Sequence, residues 1–216
     1  MADASYDELV KKQFQEVCAK YQSLNLKESD NCFYILGTIG FTSEFEGVKI
    51  QDAFELFIAI PREYPNKIPA VKEIGGRIPK EFHHNGDDTL CLGTPVDTWI
   101  KFSKHKTLIG FVEFLIIPFL FSFCFKSKMG RMPFGERTHY GEGILEFYCE
   151  FFKIKDFVVA QKFLKILASG QYSRNKPCPC DSGIRLKKCH GPKLREAMNT
   201  IPLEYFEYEY KQSQFH

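Results

Sequence analysis

No internal repeat and no low-complexity tract runs through the 216 residues, which sets aside repeat arrays and wholly disordered chains. The 29 basic and 27 acidic residues leave a net charge of only +2, so the overall charge balance names no partner. An apolar leader is missing too. Asp3, Asp7, Glu8, Lys11 and Lys12 interrupt the start of the chain, and no secretory h-region forms there. The expected compartment is therefore the cytoplasm, where thiols stay reduced. In that setting the eight cysteines read as metal ligands, nucleophiles or core residues before disulfides. Long apolar runs are scarce. The one candidate, Leu108 to Phe125, contains Glu113 and Pro118; the first is costly in lipid and the second removes a helical hydrogen bond, so a buried helix is expected and a membrane is not.

What is present is globular. Hydrophobic residues make up 44% and aromatic residues 15%, with 22 Phe, enough to fill a well-packed interior. Tyr6, Leu9, Val10, Phe14, Val17, Cys18, Tyr21 and Leu24 recur at helical spacing over residues 5–24, with Ser5 and Glu8 placed as a capping box. From Asn31 to Ile60 the period shortens to two: Phe54, Leu56, Ile58 and Ile60 share one face, and a polar turn falls near Ser43 to Gly47. Two or three antiparallel strands are expected. Pro61, Pro65, Pro69 and Pro79 then cross a stretch with only one more short apolar run, around Ala70 to Ile74, and hold the chain extended and irregular up to Cys91. An apolar helix, a Gly-rich connection and one long helix from about Ile144 to Ala168 follow. His139, in the Gly-rich connection, reads as a turn histidine, and Cys18, Cys32, Cys124 and Cys149 as core residues. The fold class is α+β, with an N-terminal helix, an antiparallel meander, C-terminal helices and a small appendage.

The composition shifts after Ala168. Residues 171–195 carry seven basic side chains against Asp181, a net +6, and residues 196–216 carry four Glu against Lys211, a net −3. Within the basic stretch lie Cys178 and Cys180, then Cys189 and His190. Three thiolates and an imidazole form a tetrahedral donor set for Zn²⁺, and the Asp-Ser-Gly turn lets a short loop bring the two pairs together. A basic segment this poor in apolar residues has no core of its own, so the metal would supply its folding energy. The stretch resembles the SEC-C zinc motif found at the C-terminus of the secretion ATPase SecA, all four ligand positions matching. The resemblance implies one structural Zn²⁺ and a docking or stabilising module. Nucleic-acid binding by this segment has little support, since no aromatics interleave the charges.

The other polar cluster is FHHNGDDTLCLG, residues 82–93. A nucleophilic Cys91 requires a route to thiolate and stabilisation of the oxyanion it creates. Asn85 offers an amide donor, His83 and His84 offer proton carriers, and Asp87 and Asp88 offer carboxylates that could orient an incoming amine. A loop cysteine beside solvated polar residues is the plain alternative on these twelve residues alone.

The order along the chain adds context: an N-terminal helix, a meander, Tyr64-Pro65-Asn66-Lys67-Ile68-Pro69, His83-His84-Asn85, Cys91-Leu92, and Trp99 eight residues after the cysteine. This series resembles a ubiquitin-conjugating enzyme over roughly residues 5–125. His84 stands where that family has proline, and the loop from Asn85 to Cys91 is two residues shorter than in the common eukaryotic forms. These departures resemble the prokaryotic branch found in cyclic-oligonucleotide anti-phage systems (CBASS).

The resemblance implies a cysteine acyltransferase in antiviral defence. Cys91 would carry the C-terminal glycine of a cGAS-like nucleotidyltransferase as a thioester and pass it to a lysine or another nucleophile, with a separate adenylating enzyme as a further candidate partner. It implies a catalytic domain over residues 1–169, a zinc motif over 170–195 and an acidic tail over 196–216. A non-catalytic adaptor that binds the nucleotidyltransferase, and a thiol hydrolase pairing Cys91 with His83 or His84, are the alternatives.

Overall fold

The protein is described by a computed structural model covering residues 4–29, 32–135, 138 and 140–214. His139 lies outside the described residues. Two compact units form, one from residues 1–92 and 101–135, the other from residues 93–100 and 136–216.

In the first unit, α1 (Ala4–Lys20) buries Tyr6, Val10 and Val17. Two polar groups on that face are answered by the rest of the unit. The Tyr6 hydroxyl donates to the Ile60 carbonyl at 2.8 Å, and the Gln13 carbonyl oxygen accepts from Tyr64 and from the Leu108 amide. The meander contains four strands, β1 (Leu24–Ser29), β2 (Cys32–Phe45), β3 (Val48–Ile60) and β4 (Ala70–Glu73), in sheet order β1-β2-β3-β4, each antiparallel to its neighbour. Phe45 pairs with Val48, and the two residues between them, Glu46 and Gly47, both take positive φ. That is the two-residue turn whose twist suits a hairpin. The buried row Phe54, Leu56, Ile58 and Ile60 faces the core, as the period of two predicts. Gly37 is required in β2: at φ 140° an added Cβ would lie 2.1 Å from the Ser23 carbonyl oxygen.

The apolar run forms one continuous helix, Leu108–Met129, built of α3 (Leu108–Phe111), a π turn (Val112–Ile116) and α4 (Ile117–Met129). Pro118 explains the wide turn. Its ring would crowd the carbonyl one turn back, and the Ile117 amide instead bonds five residues back to Val112. This helix is long and apolar enough to cross a membrane, but 56% of its most apolar window is buried. Leu108, Phe111, Val112, Leu120 and Phe125 are each at most 1% exposed. It packs as a core helix on α1 and β3.

In the second unit the expected long helix is two: α5 (Tyr140–Phe152) and α6 (Phe157–Ala168). The apolar periodicity continues across the break, but Lys153 adopts φ 55° and the Asp156 carboxylate caps the amides of Val158 and Val159, starting a new helix. The first part of α2 (Pro95–Ser103), a 3₁₀ turn (Leu186–Lys188), α7 (Gly191–Thr200) and α8 (Leu203–Gln212) complete the unit. The stretch set apart by its acidic charge supplies α8, which packs on α5 and α6 and buries Phe206. Of the four cysteines expected in the core, Cys149 is buried, whereas Cys18, Cys32 and Cys124 are half-buried.

Candidate functional site

The metal-ligating residues come together on a short hairpin. Main-chain bonds from Lys187 to Arg174, from Leu186 to Lys176 and from Cys178 to Ile184 zip two extended arms together. Asp181 and Gly183, both at positive φ, turn the chain between them. The 3₁₀ turn then delivers Cys189 and His190. The three sulfurs and a His190 ring nitrogen all lie within 4.8 Å of one another. The separations are 3.3 Å from Cys178 Sγ to His190 Nδ1, 3.3 Å from Cys189 Sγ to the same nitrogen, and 3.5 Å between the sulfurs of Cys180 and Cys189. A tetrahedral Zn²⁺ with bonds of about 2.0–2.3 Å separates its ligands by roughly 3.5–3.8 Å. The cluster fits one such ion after small adjustments.

Supporting contacts fix the imidazole. His190 Nε2 lies 3.0 Å from the Phe152 carbonyl oxygen. A carbonyl only accepts, so Nε2 carries the proton and the Nδ1 lone pair faces the thiols, the arrangement typical of zinc-bound histidine. The ring also packs 4.9 Å from that of Phe163. Burial pushes the Cys178 thiol up to about 11; burial raises Cys180 as well, but its hydrogen bonds with Ser182, Cys178 and Cys189 together outweigh that and bring it down to about 6. Four protein ligands would close the coordination sphere of a bound Zn²⁺, the arrangement of structural sites.

Cys91 closes a loop in the first unit. The Leu90 amide donates to the Val71 carbonyl of β4 at 2.8 Å, and the Cys91 amide donates to the His83 carbonyl at 2.7 Å, with His84 and Leu90 bridged between them. His83 and Asp88 both adopt positive φ, a cost that the loop's hydrogen bonds offset. The Asn85 side chain donates to the Thr89 hydroxyl at 2.9 Å, and that hydroxyl donates to the Asp87 carboxylate at 2.6 Å. Asn85 thus stands as a brace of the loop. The His84 ring is held at the Phe82 carbonyl, 3.0 Å away, and the His83 ring meets that of Phe82 edge-on. Asp87 and Asp88 are exposed, and each is held below the usual carboxylate range, Asp87 by the Thr89 hydroxyl and Asp88 by Lys80, 2.9 Å from it. Cys91 itself is half-buried, at the edge of the loop and outside the hydrophobic core.

A SEC-C motif, which is a zinc-binding motif, matches residues 174–192, including all four ligands. No curated protein matches the chain. Two features of these sites were not expected from sequence: the Thr89 hydroxyl between Asn85 and Asp87, and the carbonyl partner of His190 on a helix 38 residues away. The Asp-x-Thr spacing is a local turn signal that could have found the first; nothing local marks the second.

Thr89→Val tests the brace. It keeps the side-chain volume, removes the hydroxyl and leaves Asn85 and Asp87 without their shared partner. The expected cost is about 1–2 kcal/mol, read from the denaturation midpoint of the unit holding the sheet, with the Asp87 titration midpoint moving upward.

Proposed function

We propose that the chain is a ubiquitin-conjugating-like acyl carrier: Cys91 accepts the C-terminal glycyl group of a partner protein as a thioester and passes it to a lysine or another nucleophile. The observation that carries this reading is the placement of Cys91. It is half-buried on a hydrogen-bonded loop that follows a four-stranded meander and precedes a helix, the element order that the resemblance to this enzyme class implies. A carrier cysteine needs a fixed backbone and a sulfur that an extended peptide tail can reach, and this loop provides the first through Asn85, Thr89 and Asp87.

The chemistry follows from the residues. The Cys91 thiolate attacks the glycyl carbonyl, a carbon–sulfur bond forms and the previous leaving group departs. An amine then attacks the same carbon, a carbon–nitrogen bond forms, and Cys91 leaves as thiolate. Asp87 and Asp88 are anions at neutral pH and therefore weak bases, so their contribution is to attract and orient a cationic lysine, with solvent taking the ammonium proton. His83 supplies the main-chain acceptor that fixes the Cys91 amide. The zinc hairpin has no coordination position left for chemistry and belongs to the stability or docking of its own unit.

The partner implied by the resemblance is a cGAS-like nucleotidyltransferase acting in anti-phage defence in the cytoplasm. Incubating the chain with such a nucleotidyltransferase, ATP and an adenylating enzyme should give a band on non-reducing gels at the summed mass of chain and donor, which thiol treatment removes. A band that withstands thiol, or none, contradicts the reading.

A further inference from the structure

Among the described residues of the second unit, one carboxylate is buried without a counter-ion. Glu209 on α8 has no exposed surface. One of its oxygens accepts from the Val96 amide, in the first turn of α2, at 2.7 Å, and the other lies 2.6 Å from the Tyr148 hydroxyl of α5. Thr94, just before α2, hydrogen-bonds to it as well. Helix α2 therefore has its N-terminus capped by a residue 113 positions away in the chain. Nearby, the Trp99 indole donates to the Thr200 carbonyl at 2.9 Å and stacks obliquely on Tyr205.

Among the described residues, the charged groups around Glu209 offer it no cation. Asp97, on α2, repels it, and Tyr148 is its titratable neighbour on α5; the buried residues of α6 are Val159, Ala160, Phe163, Leu164 and Leu167, all apolar. A neutral acid keeps both short contacts, because its O–H can donate to Tyr148 while the other oxygen still accepts from Val96. An ionised Glu209 keeps the contacts but places a negative charge with no cation among the described residues in a buried site beside Asp97.

We propose that Glu209 is a proton-held latch: as the neutral acid it fastens α8 to the start of α2, and its ionisation favours their release. Burial, the dominant influence, pushes its pKa up from the ordinary 4.5 to about 7 against the pull of its hydrogen bonds, with Asp97 adding to the rise. The sign follows from linkage. A carboxyl whose folded pKa is raised stabilises the closed state fully below its unfolded value and loses that contribution as pH rises toward the folded one. Opening should therefore increase between about pH 4.5 and 7 and level off above. This device is independent of what Cys91 does.

The test is hydrogen exchange on the full-length, zinc-loaded chain, corrected for the intrinsic pH dependence of exchange, together with an NMR titration of the Glu209 side-chain carboxyl. The opening constant of peptides covering residues 94–100 and 203–213 should rise at least tenfold from pH 5 to 7, and the carboxyl midpoint should lie near 7. Asp97→Asn should lower that midpoint and Tyr148→Phe should raise it, while Glu209→Gln should make opening independent of pH. A wild-type midpoint near 4.5, or an opening constant that does not change with pH while Glu209 titrates, overturns the proposal. The wild-type titration decides the matter even if the Glu209 variant does not fold.

Discussion

Cys91→Ala should leave acyl transfer at the uncatalysed background, a loss of roughly a thousandfold or more, because the variant has no atom on which to form the covalent intermediate. A peptide ending in a glycyl thioester of a small thiol is a sufficient donor, since exchange onto a cysteine needs no adenylation. The rate at which a lysine-bearing acceptor consumes it reads the effect. Cys91→Ser separates chemistry from folding: a serine oxygen that receives the acyl group holds it as an ester that thiols do not cleave and hydroxide does. Cys32→Ala, at the edge of β2 and distant in sequence from the loop, should transfer at the wild-type rate. Fold loss is not expected from any of these, because Cys91 is only half-buried and its ties to His83 are main-chain.

The second large effect concerns the hairpin of residues 174–190. Elemental analysis should find one zinc per chain, and Cys178→Ser should abolish it. A structural zinc site of this kind supplies on the order of 10 kcal/mol of folding free energy at neutral pH, several times what its few main-chain bonds contribute. Chelation should therefore erase hydrogen-exchange protection over residues 174–190. It should also loosen the end of α5 and the middle of α6, where His190 is tied to Phe152 and packs on Phe163, while the sheet unit keeps its protection. Retention of full protection in the metal-depleted protein would count against a structural zinc.

Legibility in the sequence tracked how local each determinant is. The four zinc ligands fall within thirteen residues, so spacing alone exposed them. The alternation in β3 exposed its buried face, because side-chain period is a property of a single strand. The β4 strand was visible only as a short apolar run, since its four residues matter through pairing with β3. The break between α5 and α6 was hidden because apolar periodicity runs through it; what stops the helix is the left-handed Lys153 and the Asp156 cap. In the sequence Glu209 reads as part of an acidic tail. Its burial depends on Val96, Tyr148 and Thr94, which no sequence window contains together. At Cys91 the residue types were legible, but their arrangement was not: Asn85 turns its amide onto Thr89, a contact that spacing suggests only once the loop is known to close on itself.

The reading of Cys91 as an acyl carrier is tested most directly by the intact mass of the chain after incubation with a peptide ending in a glycyl thioester. The account predicts one added acyl mass per chain, mapped to Cys91 by tandem mass spectrometry, lost on treatment with hydroxylamine or excess thiol and absent in Cys91→Ala. An unmodified Cys91 in the folded, zinc-loaded protein, or an equal adduct on the alanine variant, would contradict it.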